Sequence, residues 1–326
     1  MNELYPLKFK PIFKEKIWGG KKISEILKQD FSPLPNCGEL WALSGIEDAS
    51  SEVCNGFLKD NTLNELVEVY MGDLVGDAVY EKYNNQFPLL FKFINSEDYL
   101  SVQVHPGDGL AMQRHQCFGK TEMWYVLAAD EGAELISGFK SKTSKDDYLK
   151  HLKDNTLKEI LNYEKVQPGD VFYVPSGHVH AIGPGILLAE IQQSSDITYR
   201  IYDWDRFDQA GMTRELHTDL ALDAINFDEK EQYKTHPVIV RNRPVAIQKS
   251  EYFTVNLLDL DRNLEQDFND IDSFVAYLCT DGAFTLAYAD SSVKVSKGES
   301  LLVPAMIKEF EIIPSETCKI LETYIL

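Results

Sequence analysis

The chain has 326 residues, enough for two domains and a large buried core. Its 44% hydrophobic and 26% charged residues are those of an ordinary globular protein, and no apolar run reaches the roughly 18 residues of a membrane span. A formal net charge of -20 repels nucleic-acid phosphates and anionic membranes, so neither is expected as a partner; a small anionic substrate requires a local gathering of basic residues.

In chain order, MNELYPLKFKPIF carries no apolar stretch of signal-peptide length. A helix is predicted from Thr62 to Tyr70, where Thr62 and Glu65 have capping-box spacing and Leu63, Leu66, Val67 and Tyr70 share a face. Strand alternation follows in PLLFKFI, YLSVQVH, EMWYVLA and AELISGF. A second helical patch spans about 144–162, with Thr156 and Glu159 at the same capping spacing, before the strands DVFYVP, ILLAEIQ and ITYRIYDW. Many short strands with two helical excursions predict a mainly β barrel or sandwich decorated with helices. VQPGDVFYVPSGHVHAI from Val166 is echoed by VSKGESLLVPAMIKEFEI from Val295, Gly169 and Pro175 matching Gly298 and Pro304. Met306 stands where the first copy has Gly177, and Glu309 where it has His180. The echo predicts two related β-barrels, residues 1–230 and 231–326, the second without a metal site, divided within the polar stretch DEKEQYKTHP at 228–237. Cys37, Cys54, Cys117, Cys279 and Cys318 are odd in number and form no CxxC pair, as expected of free thiols in a reducing cytoplasm.

Four polar residues sit in or beside these apolar runs: Gln103, His105, Glu122 and His180. Two imidazoles, a carboxylate and an amide oxygen make a ligand set for a divalent ion such as zinc. Ser101, Gln103 and His105 share one face of their strand, and ligands at i and i+2 lie about 7 Å apart at Cα, which suits one ion. Lys120 with Glu122 and His178 with His180 are further same-face pairs, and parity does not choose within them. The plain alternative is a surface histidine beside a hydrogen-bonded polar network. Leu188, Glu190 and Gln192 share a face, as do Thr198, Arg200 and Tyr202. Arg200 among apolar neighbours needs an anion: Glu190 or Asp203 in an internal salt bridge, or substrate oxygens. Lys92 within FKFIN poses the same choice or snorkels from a strand edge. His115, His151, His217 and His236 lack ligand-like partners at short spacing, and IWGG and GPGI read as turns.

Together these segments resemble a known family. PGDVFYVPSGHVHA matches the second cupin motif, while the first is distorted: Gln103 stands where the usual His-x-His begins and Glu122 follows much later. That distortion, with LSVQVHP, GKTEMWY, EIQQSSDITYRIYDWDR, PIFKEKIWGG and GELWALSG, resembles the type I mannose-6-phosphate isomerases in their short bacterial form, densely over residues 8–220. The resemblance implies two cupin-type jelly-roll barrels with helical insertions; the plain reading of the second is a structural cap over the first. It implies one Zn²⁺ per chain on Gln103, His105, Glu122 and His180, the histidine before Ala181 being the ligand; short members are also described with the two His and the Glu alone. The family's active-site arginine falls on Arg200, its phosphate and sugar contacts on Ser101, Lys92 and Lys120, and its acidic groups near the reacting carbons on Glu190 and Asp196. The implied reaction interconverts mannose 6-phosphate and fructose 6-phosphate by enediol-type proton transfer, with Glu190, Lys120 or metal-bound water as base. Alternatives are a cupin isomerase for another phosphosugar, a cupin dioxygenase, which Gln103 in place of a third His disfavours, and a non-catalytic sugar-phosphate-binding cupin.

Overall fold

The computed structural model describes residues 4–207, 211–228 and 233–326. The fold is mainly β and of the cupin type, and the chain forms two compact units. The first contains residues up to 15, 21–93 and 237–326; the second contains 16–20 and 94–236. The expected division at 230/231 lies outside the described residues. The grouping also differs from the expected one, because most of the first 93 residues belong with the C-terminal barrel. The reason is strand pairing across a very long stretch of chain: Leu7–Lys8 adds an edge to Ser300–Val303, with Leu7 opposite Leu302, and Ser300 Oγ donates to the Ala42 carbonyl.

The first unit is built on an antiparallel sheet. Its order is Leu7–Lys8, Ser300–Val303, Val275–Tyr288, Glu309–Tyr324, Thr254–Leu260, Val245–Lys249. Leu264–Asp267 and Ser291–Ser296 pair on its long strands. Alternate residues (Leu258 and Leu260, Tyr277 and Cys279, Phe284 and Leu286, Ile312, Ile320) form the core, as two-residue periodicity requires. The helix Leu63–Val75 starts with the expected capping box, Thr62 accepting from the Glu65 amide and Glu65 from the Thr62 amide. Its end docks on the second sequence echo: the Ala305 and Met306 amides donate to the Leu74 and Asp73 carbonyls. Gly76 joins it to the helix Asp77–Tyr83 at φ 96°, where a Cβ would come within 2.4 Å of the Asp272 carbonyl oxygen. A side chain is therefore excluded there on both counts.

The second unit holds two facing sheets. One has the order Tyr199–Tyr202, Val102–Val104, His180–Ile182, Glu134–Phe139, Leu161–Lys165. The other contains Lys234–Thr235, Val171–Val174, Glu122–Ala129 and Ile186–Gln193. Trp124, Val126, Leu135, Phe172, Val174, Ile182 and Leu188 fill the space between them. Val102, Val104, Ile136, Ala181, Tyr199 and Ile201 point the other way, into a layer with Tyr148 and Ala221 of the helices Lys145–Lys153 and Thr218–Ala224. Strict alternation thus turns Gln103, Ser137, His180 and Arg200 toward the opposite face from these apolar residues. IWGG is more than a turn: Trp18 is buried in the inner core and its carbonyl accepts from the Glu97 amide.

The second helical patch differs from its reading. Its capping box is Ser144 with Asp147, opening Lys145–Lys153, whereas Thr156 to Glu159 forms only a short 3-10 turn without a side-chain cap. The Thr156 hydroxyl is engaged by His151 Nδ1 at 2.8 Å, which removes it from capping. The internal echo is a repeat of conformation. Gly169 and Gly298 both take left-handed φ (91° and 84°), each leads into a four-residue strand, Val171–Val174 or Ser300–Val303, and each strand ends before a proline.

Candidate metal centre

Backbone register assembles the site. His180 lies directly opposite Gln103 on one side and Ser137 on the other, and Gln103 lies opposite Arg200. On the facing sheet Glu122 is opposite Gln192 and Val174, and Trp124 is opposite Glu190. One row from each sheet therefore meets at a single place. There His105, Glu122 and His180 offer ligand atoms within 4.8 Å of one another, each residue about 1% exposed.

The tautomers suit a cation. His105 Nδ1 is 2.9 Å from the Ile197 carbonyl and His180 Nδ1 is 2.8 Å from its neighbour's carbonyl at His178. A carbonyl only accepts, so both Nδ1 atoms carry the proton and both Nε2 atoms present lone pairs to the centre. Burial lowers the His180 pKa to about 3, which keeps it neutral and competent to ligate. Glu122 brings its charge into this enclosed space: Oε1 lies 3.3 Å from His105 Nε2, and Oε2 has no hydrogen-bond partner. A buried carboxylate oxygen left that way is costly unless a cation binds it. The donor set, two imidazoles and one carboxylate, fits a divalent metal with open coordination.

The other expected residues divide into groups. Lys120 joins the centre, its Nζ donating to Glu122 Oε1 and lying 3.1 Å from His105 Nε2. Gln103 also joins, but it presents its amide Nε2 to His180 Nε2 at 3.2 Å, while its Oε1 accepts from Ser101 Oγ at 3.4 Å. As oriented, Gln103 is a donor to the candidate ligand His180; exchanging the amide ends would turn its oxygen inward. Glu190 is buried and accepts from Trp124 Nε1 at 2.9 Å, and the Trp124 ring stands edge-on to the His180 ring at 5.4 Å. Asp196 is exposed in the loop between Ile186–Gln193 and Tyr199–Tyr202. Lys92 is buried in the first unit on Leu89–Ser96, its Nζ 5.2 Å from the Trp41 ring centroid. His178, the rival of His180, is turned to Ser137 Oγ at 2.9 Å.

Of the two carboxylates offered for an internal salt bridge with Arg200, Asp203 is taken by other arginines. Asp203 is occupied by Arg206 Nη2 and Arg214 Nε, each at 2.7 Å, and Arg200 Nη1 donates to the Glu215 carbonyl at 2.8 Å. Arg200 Nε is buried without a hydrogen-bond partner. Burial, then the Arg214 charge, push Arg200 below its ordinary value, against the pull of Asp203. Three guanidinium groups thus gather about the buried Asp203, with Asp98 3.4 Å from Arg206 and Glu215 near Arg200, a local gathering of basic groups in a chain of charge -20. Arg206 and Arg214 were not singled out from sequence. Arg206 adjoins the ITYRIYDW run and was findable; Arg214 lies in a loop with no periodicity. The four remaining histidines have structural partners, among them His115 with Tyr199 Oη at 2.7 Å and His236 with Asp170 at 2.9 Å.

Fold and site together define a cupin with a buried His/Glu/His group able to hold a metal ion. Residues 6–135 match the family model for the phosphomannose isomerase type I catalytic domain, and residues 245–325 match that for the mannose-6-phosphate isomerase cupin domain. Mannose-6-phosphate isomerase ManA of Bacillus subtilis is 36% identical, with 94% of this chain and 95% of the relative covered. The mannose-6-phosphate isomerase of Streptococcus mutans is 34% identical, with 94% of each covered. A crystal structure of the Bacillus subtilis mannose 6-phosphate isomerase superposes with TM-score 0.86 at 32% identity, over 98% of this chain and 99% of that one. The chain belongs to the type I phosphomannose isomerase family and is an enzyme of that family.

Proposed function

We propose that the protein interconverts mannose 6-phosphate and fructose 6-phosphate, with one zinc ion held by His105, Glu122 and His180 and by Gln103 after its amide turns. The observation that carries this reading is the convergence of two Nε2 lone pairs and a buried carboxylate within 4.8 Å, beside a cluster of three arginines. Family membership and the relatives named above supply the substrate. When bound, the ion would polarise the oxygens of the reacting sugar carbons.

The chain's own groups do the rest. Aldose–ketose isomerisation moves a proton between C2 and C1 of an open-chain sugar through an enediol-type intermediate. Lys120 is buried at the centre and hydrogen-bonded to two of its members, placed to hold or pass a proton. Glu190, fixed by the Trp124 indole, is the second candidate for proton transfer. Arg200, with Arg206 and Arg214, supplies fixed positive charge for the phosphate or for oxyanion character near it. Ser101 sets the Gln103 amide, and Asp196 is assigned to the sugar end. Lys92 is carried as a substrate contact on family resemblance alone. Five free cysteines suit a reducing cytoplasm, and among the described residues no helix is long and apolar enough to cross a membrane.

A coupled assay following fructose 6-phosphate from mannose 6-phosphate tests the reading. Activity should be lost on chelation and restored by zinc. Metal-replete protein without activity would overturn the substrate; activity retained by protein shown metal-free by elemental analysis would overturn the metal.

A further inference from the structure

The unit that contains the metal centre also contains a polar cavity of about 330 Å³, to whose lining residues the proposed reaction gives no part. Ser137 and His178 form its inner wall, His178 3% exposed with Nε2 2.9 Å from Ser137 Oγ. The buried Thr143 adds a further hydroxyl-bearing side chain. Lys140, whose Nζ also donates to the Glu159 carbonyl at 2.9 Å, and Lys142 lie at the exposed side, and among the described residues no carboxylate lines the space. In a chain with 52 acidic against 32 basic residues, a cavity lined by two lysines and hydroxyl groups without an acid selects for anions. Phe139 and Phe227 close one side as a stacked pair, 12° apart in plane, giving an apolar surface beside the polar one.

We propose that this cavity is an anion site for a small phosphomonoester, its phosphate on Lys140, Lys142 and the hydroxyl groups and its carbon skeleton against the Phe139–Phe227 pair. Lysine binds phosphate as a point charge, and the volume admits a small metabolite but no macromolecule; the Thr143 hydroxyl would have to release the Ser141 carbonyl, 3.0 Å away, to join in. The cavity adjoins the metal centre through Ser137, the register neighbour of His180, but offers none of its candidate ligands: the His178 carbonyl accepts from His180 Nδ1, and the His178 ring turns to Ser137 in the cavity wall.

Equilibrium dialysis of the full chain against radiolabelled inorganic phosphate at low ionic strength tests the proposal, with turnover not read at all. An Arg200→Gln/Arg214→Gln variant, which weakens the arginine cluster, should retain one phosphate site. Adding Lys140→Ala/Lys142→Ala should weaken that site by roughly a hundredfold, about tenfold for each charge-assisted contact. Asn226→Trp, at an exposed lining position, fills the cavity with both lysines kept and should also abolish the site. Phosphate binding unchanged by Asn226→Trp would reduce the effect to diffuse surface charge and overturn the proposal. So would loss of all phosphate binding in the arginine-reduced variant, which would assign every bound phosphate to the metal side.

Discussion

Gln103 and His180 are direct partners across two antiparallel strands, and their side chains meet with Nε2 atoms 3.2 Å apart. Register alone forces this contact, because side chains directly opposite on one face lie within reach. The amide orientation decides whether Gln103 is a ligand or a donor to one. With its oxygen turned to the metal, Gln103→Ala should lower zinc affinity by about 10–100-fold, the usual cost of losing an ancillary group at such a centre. His105→Ala should lose the metal altogether. Chelator competition measures both, and an unchanged affinity in Gln103→Ala would leave the amide a mere neighbour.

Lys120 is tied to Glu122 and His105, so its ammonium competes with a metal for the same lone pairs. Lys120→Met should therefore bind zinc several-fold more tightly while turnover falls by about 10²–10⁴, the range for loss of a proton-transfer group. Wild-type turnover in that variant would exclude Lys120 from the chemistry.

Asp203 holds Arg206 and Arg214 in place. Burial raises its pKa, but hydrogen bonds from the two arginines outweigh that and hold it below the ordinary value. A carboxylate depressed in the folded state contributes stability above its unfolded pKa of about 3.9, and that contribution fades as pH falls through the folded value. Asp203→Asn should cost roughly 2–3 kcal/mol, less than a fully buried pair because the Arg214 side chain is 33% exposed. In steady-state kinetics it should raise the KM for mannose 6-phosphate about tenfold with kcat nearly kept, since phosphate binding is remote from the proton transfer. A change in kcat alone would place these arginines at the reacting carbons.

Glu322 is buried in the first unit, accepting from Asn256 Nδ2 at 2.8 Å and from the Tyr277 hydroxyl at 3.0 Å. Burial nevertheless raises its pKa. A carboxyl raised in the folded state contributes stability below its unfolded pKa of about 4.3 and loses it as pH rises through the folded value. Glu322→Gln mimics the protonated form, so its thermal midpoint relative to wild type should climb as pH rises from about 4 to 8. A flat difference would show that the hydrogen bonds from Asn256, Tyr277 and Gln266 fully offset the burial cost.

Much was legible in the sequence because strand alternation is a local property. Each polar residue flanked by valines or leucines, as Gln103 is by Val102 and Val104, must face away from them, and the capping box at Thr62 and Glu65 needs only four consecutive residues. The glycine–strand–proline echo was likewise readable because Gly169 and Gly298 answer one local demand, a left-handed φ. What alternation leaves open is which same-face residue meets which across the barrel. Parity made His178 and His180 equivalent, yet only the register opposite Gln103 brings His180 to Glu122, while His178 turns to Ser137. The same limit hid the pairing of Leu7 with Leu302 and the capture of Asp203 by Arg206 and Arg214 in place of Arg200. The sequence by itself determined the faces, the candidate His/Glu/His group and the family; tertiary structure decided the partners, because long-range pairing and the competition of charges for one buried carboxylate are settled only when distant segments share the same space.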